Sequence, residues 1–411
     1  MNKSQNQLNR LELIAAHFIS ELKAIFSDKG ALLILIGAML VYPVIYSIAY
    51  MNETCTNLRI GVVDLDGTDA SRKYVQMIDA TPELGVTCQP GSLSEAEKLF
   101  MENKISGLVL IDNGFQGDVL SGEQAHVAVY ADASYFLKYR NEYMAVAMVN
   151  AYFSGGISVK HYMAEGQSFE QAKVSSDPLP TQYHILYNPS TGYGSFIMPG
   201  IILVIIQQTL LIGIGVLGGS FSESKKSPFL LPLTKRKKEV LPFLAGKAGA
   251  YLLITLFNVA FALFAVHHWF QYPDKTSFLE IGVLVFPYLI AVIFLGIGLS
   301  TLFRHRESAI VFMVFLSPIA LFFTGLSWPV SAMPEWIVIF SKLMPSTTVI
   351  PAYLRLRTMG VGIAGVKHEL IWLYVQATVY VLLTIVYYMF RVNRDKRKKE
   401  IPIELKSNLP G

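Results

Sequence analysis

Six long apolar runs constrain this chain more than any other feature of its sequence. Each is long enough to cross a lipid bilayer, which needs about 20 mostly apolar residues, and none carries a charge near its centre. The chain is 53% hydrophobic and only 16% charged, unlike a soluble domain. The pattern predicts an α-helical polytopic membrane protein with six transmembrane helices. They occupy residues 31–50, 195–217, 241–266, 279–303, 308–328 and 370–390.

The first run is predicted to be a permanent span and not a removable signal peptide. The residues before it include Glu12, Glu21 and Asp28, and no small-x-small cleavage site follows the run. Apolar side chains such as Leu11 and Phe18 recur at helical spacing in this N-terminal arm, with charges between them. The arm, residues 1–30, is therefore expected to form an amphipathic helix along the inner membrane face.

Basic residues predict the orientation of the spans. They are concentrated in the N-terminal arm, in the connections after the second and fourth runs, and in the tail that begins "RVNRDKRKKE" at Arg391. Lysine and arginine are enriched in cytoplasmic loops, so all four segments and both termini are expected in the cytoplasm, with the chain in the inner membrane. Because topology alone accounts for these basic clusters, they do not indicate nucleic-acid binding.

The segment between the first and second runs then lies outside the cytoplasm. Residues 52–190 hold 17 acidic against 9 basic side chains. Strand and helix patterns alternate along the segment, which predicts an inserted extracytoplasmic α/β domain over residues 52–194. Those patterns are "LRIGVVD", "TDASRKYVQMIDA", "GVTCQ", "SLSEAEKLFMEN", "ISGLVLID" and "AHVAVYAD", followed by a long helical pattern over residues 134–165.

Both cysteines of the chain, Cys55 and Cys88, fall in this outer segment. In an oxidising compartment they are expected to form a disulfide that ties the entry of the domain to its second strand. The alternative is that both are small buried residues.

The stretch "VVDLDGTDAS" resembles the nucleophile motif of haloacid-dehalogenase-type phosphatases. Asp64 and Asp66 follow an apolar strand, as that chemistry requires. The nearest acids that follow a downstream strand, Asp112 and Asp118, do not form the expected metal-binding pair. The simpler interpretation is that Asp66 and Asp69 cap a helix and shape its turn.

The spans lack the ionisable residues that gradient-driven transporters place at mid-depth, so coupling to an ion gradient is disfavoured. No phosphate-binding loop occurs either, since "LPFLAGKAG" has Leu241 and Ala248 where glycine and a hydroxyl residue are needed. Energy for transport would have to come from another chain. The inner loop, with apolar "PFLLPL" between basic residues, offers a docking surface for such a partner, although an ordinary positive loop has the same composition.

Four stretches, in this order and topology, resemble the permease subunits of ABC-2 type transporters. The resemblance is to the subgroup with a large extracytoplasmic domain between the first and second transmembrane helices, and it covers essentially the whole chain. The stretches are "ELKAIFSDKG", "LRIGVVDLDGTDASRKYVQMIDATPEL", "YNPSTGYGSFIMPGII" and "GLSWPVSAMPEWIVIFSKLMPSTTVIPAYLR".

The resemblance implies a permease subunit of an ATP-driven exporter and not an enzyme. Two permease chains, identical or different, would pair in the membrane lipid and be driven by a cytoplasmic ABC ATPase. This chain would bind no cofactor, since ATP and Mg would be used by the partner subunit. A periplasmic adaptor protein and an outer-membrane channel are further partners by the same resemblance.

The resemblance also implies roles for particular segments. The transmembrane part would comprise residues 31–51 and 195–391, followed by a basic tail, 392–411. ATPase coupling is expected from the N-terminal helix and from a loop over residues 218–242, at Glu21, Asp28, Lys225, Lys226, Phe229, Leu230, Lys235 and Arg236. Short re-entrant helices at the outer face would occupy residues 327–350, around Pro329, Met333, Pro334 and Trp336.

Four polar amide side chains lie inside the predicted spans: Gln207, Gln208, Asn258 and Gln376. They either line a substrate path between two permeases or form hydrogen bonds between helices. The alternative to transport is a membrane scaffold or receptor that acts through its outer domain.

Overall fold

The computed structural model describes residues 9–182, 184–224 and 237–400. The chain separates into two compact units. The smaller is Thr54–His184, and the larger is formed by the chain before and after it.

Within its described residues, the larger unit contains six helices long and apolar enough to cross a membrane, which confirms the six predicted spans. In chain order the first to sixth spans are Lys29–Ala49, Tyr193–Glu223, Val240–Trp269, Phe278–Ser300, Arg306–Phe323 and Lys367–Val392. The fifth span ends earlier than its apolar run because Gly325 adopts left-handed backbone (φ +82°) and Pro329 follows.

Short helices lie between the fifth and sixth spans. A 3-10 turn, Val330–Ala332, precedes Glu335–Ser341 and then Pro345–Met359, and the last two are bent by 94° against each other. Pro329, Pro334 and Pro345 stand at or next to the start of each piece. Proline fits these positions because its ring presets the backbone and its missing N–H is not needed there.

The N-terminal helix spans Arg10–Ser27. It begins at a capping box in which the Asn9 side chain accepts from the backbone and Glu12 accepts from the Asn9 amide. Asp28 ends this helix and starts the next one. One side of the helix is buried, including Glu21 and Ile25.

The smaller unit has a four-stranded sheet in the order β2-β1-β3-β4, where β4 is antiparallel and the other pairs are parallel. The neighbours Val62 and Val63 are both fully buried yet belong to separate apolar clusters, because successive strand residues point to opposite faces. The strands are β1 Leu58–Asp64, β2 Leu84–Cys88, β3 Gly107–Ile111 and β4 Val127–Ala131, and the helices are Asp69–Asp79, Leu93–Met101, Phe115–Ser121, Phe136–Ala164 and Phe169–Ser176.

The prediction of a disulfide between Cys55 and Cys88 is wrong, since both are free thiols in the structure. Parallel pairing sets Cys88 beside Gly61 in the middle of β1, whereas Cys55 precedes that strand. Leu58 to Gly61 alone covers about 10 Å at roughly 3.3 Å per residue. A disulfide requires Cα atoms within about 7 Å.

The carboxylates of "DLDGT" hold a turn together. Asp64 accepts from the amides of Asp66 and Gly67, and from the Ser71 hydroxyl at 2.7 Å. Asp66 accepts from backbone amides at the start of the helix Phe115–Ser121. Thr68 caps the helix Asp69–Asp79. These contacts support a structural role for the motif and not a phosphatase nucleophile.

Candidate functional site

A buried ion pair joins the N-terminal helix to the third span. Lys247 Nζ lies 2.6 Å from Glu21 Oε1, and the Tyr251 hydroxyl donates to the same oxygen at 2.6 Å. Only 2% of Glu21 and 8% of Lys247 is exposed. A carboxylate so far withdrawn from water needs a cation and further hydrogen bonds. The pair therefore holds the helix in one register against the third span.

The same two elements touch through their backbones. A Cβ atom on Gly246 would lie 2.6 Å from the Ile14 carbonyl oxygen, so a side chain there would force the helix away. Beside this contact His17 meets Phe243 edge-on, with ring centroids 5.1 Å apart, and burial lowers the pKa of His17. Phe243 also contacts Tyr388 at 5.6 Å, which extends the cluster to the sixth span.

Asp28 connects the first and fifth spans. Its Oδ1 accepts from the amides of Gly30 and Ala31 at 3.0 and 2.9 Å, which caps the first span, and from Arg306 Nη2 at 2.6 Å. Arg306 is the first residue of the fifth span. Asp28 thus joins the start of the first span to the start of the fifth, and both of these ends are predicted to face the cytoplasm.

Glu21 and Asp28, which the sequence assigns to ATPase coupling, are both engaged inside the chain. The N-terminal helix instead exposes apolar side chains, among them Leu11, Ile19 and Phe26 at 74%, 50% and 57%. The other expected coupling residues lie outside the described part of the chain; they are Lys225, Lys226, Phe229, Leu230, Lys235 and Arg236.

Three of the four polar side chains inside the spans bond to other segments. Gln207 accepts from the Ser346 amide at 2.9 Å, and Gln376 donates to the Lys342 carbonyl at 2.5 Å. Asn258 donates to the carbonyl oxygen of a first-span residue at 2.6 Å. These bonds agree with the interhelical interpretation of Gln207, Asn258 and Gln376.

Gln208 differs from the other three amides. It is 6% exposed, and neither its Oε1 nor its Nε2 has a hydrogen-bond partner among the residues that the structure describes. A buried amide left without partners is costly, at about 1–3 kcal/mol. Gln208 is therefore a buried polar side chain of the second span whose amide is open to a partner outside the described residues.

The bend between Glu335–Ser341 and Pro345–Met359 is held by neighbouring spans. Gln207 of the second span binds its far side, while Gln376 and the Tyr380 hydroxyl of the sixth span donate to backbone carbonyls within it. A bend frees backbone groups, which need new partners where water is scarce. Gln207 and Gln376, for which the sequence left open a substrate path or an interhelical bond, thus hold this bend.

The residues expected in re-entrant helices all precede that bend in the chain. Pro329 and Pro334 precede the short helical pieces. Met333 is 8% exposed and packs inward, whereas Trp336 is 64% exposed. An exposed tryptophan on such a segment suits a membrane interface.

Arg357 is a buried cation that the sequence analysis did not single out. It is 1% exposed, donates to the Leu263 carbonyl at 2.6 Å, to Tyr353 Oη and to Asp274 Oδ2 at 2.5 Å, and lies over the Phe264 ring. It joins the bent helix to the end of the third span and to the following loop. The sequence feature that could have indicated Arg357 is "LRLRTMG", where arginines follow an apolar helical run and precede a glycine.

The sequence of the chain is similar to a known protein family and to a curated relative. Residues 29–386 match the family described as "ABC-2 family transporter protein", a range that begins with the first span and ends within the sixth. ABC transporter G family member 20 of Dictyostelium discoideum is 21% identical over 316 residues, which cover 75% of this chain and 41% of that protein. The chain therefore spans about two fifths of the length of the curated relative it matches.

Proposed function

The chain belongs to the ABC-2 transporter family, and from this premise we propose that it is the permease subunit of an ATP-driven exporter. Two permease chains pair in the membrane, and separate cytoplasmic ATPase subunits supply the energy. The chain itself binds no cofactor, because ATP and Mg are bound and used by the ATPase subunits.

The observation that carries this proposal is the docking of the N-terminal helix on the third span. The Glu21–Lys247 pair and the glycine contact at Gly246 tie this helix to the third span, and the Asp28–Arg306 pair ties its end to the fifth. A force applied to the helix by an ATPase is then transmitted into the spans and not absorbed by a loose segment. The exposed apolar side chains Leu11 and Ile19 are available for such a contact.

Charge supports the proposed orientation. The basic connections and both termini face the cytoplasm of the inner membrane, and the acidic unit Thr54–His184 lies outside it. A periplasmic adaptor and an outer-membrane channel are proposed partners on that outer side.

Gln208 is the residue we place on the transport path. Gln207, Asn258 and Gln376 each bind a backbone group in this chain, whereas the Gln208 amide has no partner in the described residues. A substrate polar group or the second permease supplies the missing hydrogen bonds.

A mild-detergent pull-down of the tagged chain from its native membrane tests the coupling. We expect an ATPase at stoichiometric yield with the unaltered chain, and its loss when "KKSPFLLPLTKRKK" is scrambled with charge retained. Leu120→Glu serves as the control, since Leu120 is an exposed apolar residue of the smaller unit (78%) and should not affect recovery. Recovery of periplasmic proteins alone would instead favour the scaffold or receptor.

A further inference from the structure

Strand β4 forms an open edge of the sheet. It lies last in the strand order, and no backbone hydrogen bond beyond its pairing with β3 involves Val127–Ala131 among the described residues. Val129 and Tyr130 are 38% and 45% exposed. Such an edge is a template for another strand.

Natural proteins usually protect open edges with charges, proline or a bulge. The β4 sequence "VAVYA" contains no charged residue or proline, and its register with β3 continues without a shift. The strand is therefore built to be paired.

A groove follows this edge. It has a volume of about 730 Å³, with Val129 and Tyr130 in its floor, Phe100 of the helix Leu93–Met101 on one side and Tyr139 and Tyr143 of the helix Phe136–Ala164 on the other. The two walls stand on opposite faces of the sheet edge, so a strand added to β4 would direct alternate side chains toward each wall.

We propose that the occupant is β4 of a second copy of this chain, paired antiparallel about a two-fold axis at Val129. In that register Ala128 lies opposite the large Tyr130 of the other copy, and His126 lies opposite Asp132. Each contact occurs twice by symmetry.

Neighbouring registers lose this complementarity. An axis at Ala128 sets His126 against Tyr130, and an axis at Tyr130 sets Asp132 against Ala128. Only the register centred on Val129 opposes the acid to the histidine while matching small to large side chains. A strand from an unrelated protein has no reason to meet this palindromic pattern.

Five residues make a short interface, so the pairing adds to an association formed in the membrane. It rests on the proposed permease dimer and requires that the two chains be identical. The result is a continuous eight-stranded sheet shared by two copies.

Cross-linking of the full chain in its native membrane tests the register. In a background carrying Cys55→Ala and Cys88→Ala, Val129→Cys brings two thiols together on the axis, within about 4.5–5.5 Å between Cα atoms. Val127→Cys is the matched control, because its copies lie about 13 Å apart along the strands at roughly 3.3 Å per residue. We expect mild oxidation to yield a covalent dimer about tenfold faster with Val129→Cys.

Equal rates at the two positions, no dimer at Val129→Cys, or a cross-link to a different protein would overturn the pairing. Charge provides a second readout: His126→Glu, which faces Asp132, should slow the Val129→Cys cross-link several-fold relative to His126→Lys, and equal rates would contradict the register. Recovery of the ATPase in the same membranes separates the hypotheses, since an ATPase with no cross-link refutes only the strand pairing. A cross-link with no ATPase refutes only the coupling.

Discussion

Lys247 and Arg357 are buried basic side chains, and each lies against a carboxylate from a distant part of the chain. Glu21 neutralises Lys247, and Asp274 neutralises Arg357. The cost of burying such charges is offset only while both partners are present. Single substitutions at these pairs are therefore more informative than substitutions at surface pairs.

Lys247→Met should destabilise the protein by about 3–5 kcal/mol, because it leaves the Glu21 carboxylate buried without a cation. The melting temperature of the purified chain in detergent measures this. Arg72→Met is the control, as Arg72 and Asp69 form an exposed pair worth about 0–1 kcal/mol. Combining Lys247→Met with Glu21→Gln should recover much of the loss. Equal melting temperatures for Lys247→Met and Arg72→Met would contradict a stabilising role for the buried pair.

Glu142 makes the stability of the smaller unit depend on pH. Its Oε1 accepts from the Ser106 hydroxyl at 2.5 Å, its Oε2 has no partner within the described chain, and burial raises its pKa. A raised pKa means that the folded state binds the proton more tightly than the unfolded state. The penalty is therefore absent below the ordinary pKa of about 4.5, grows as the pH rises toward the folded pKa, and is complete above it.

Glu142→Gln should accordingly raise the unfolding temperature of this unit at pH 7 to 8 and lose that advantage near pH 4.5. Unfolding of the full chain, followed across this range by a probe in the smaller unit, measures the difference. Glu123→Gln, at an exposed position, should show no such trend. An advantage independent of pH would show that the Glu142 charge is not responsible.

At the scale of elements, the positions of helix ends depend on residues close by in the sequence, whereas the contacts between helices do not. The prolines before the short helices and the caps at Asn9 and Asp28 act within a few residues of themselves. The 94° bend also depends on Gln207 and Gln376 from distant spans. Sequence patterns therefore located these helices but not the bonds that hold them.

Gly246→Ala should loosen the N-terminal helix, because the new Cβ would overlap the backbone of that helix at Ile14. We expect a melting temperature lower by several degrees and faster tryptic cleavage at Lys23. Gly282→Ala is the matched control in the fourth span, since a Cβ there meets no atom of the described residues within 4 Å. It should be neutral or slightly stabilising, because alanine favours helix over glycine by about 1 kcal/mol. If both variants behave alike, the glycine contact does not hold the helix.

On the scale of the whole molecule, the distribution of charge predicts which segments share a compartment. Ser190 precedes the second span and Ser222 lies at its other end, and both are exposed. They belong to opposite sides of the membrane if the basic connections face the cytoplasm.

In a cysteine-free background, Ser190→Cys should react with a membrane-impermeant maleimide in intact cells. Ser222→Cys should react only after lysis. Labelling yield on the purified chain measures both, with total labelling in detergent as the reference. The reverse pattern would invert the proposed orientation.

The sequence by itself determined the six spans and the strands, because apolar length and side-chain alternation are local properties. It assigned a helix cap to Asp66 and Asp69, whereas Thr68 caps that helix. It also indicated the family from four stretches in order. Tertiary structure alone decided which buried polar groups meet: Glu21 with Lys247, Gln207 with Ser346, and Arg357 with Asp274. It likewise separated Cys55 from Cys88, since parallel strand register set Cys88 beside Gly61 in the middle of β1 while Cys55 precedes that strand. Such pairings depend on long-range packing, in which residues far apart in the chain become neighbours only once the whole fold has formed.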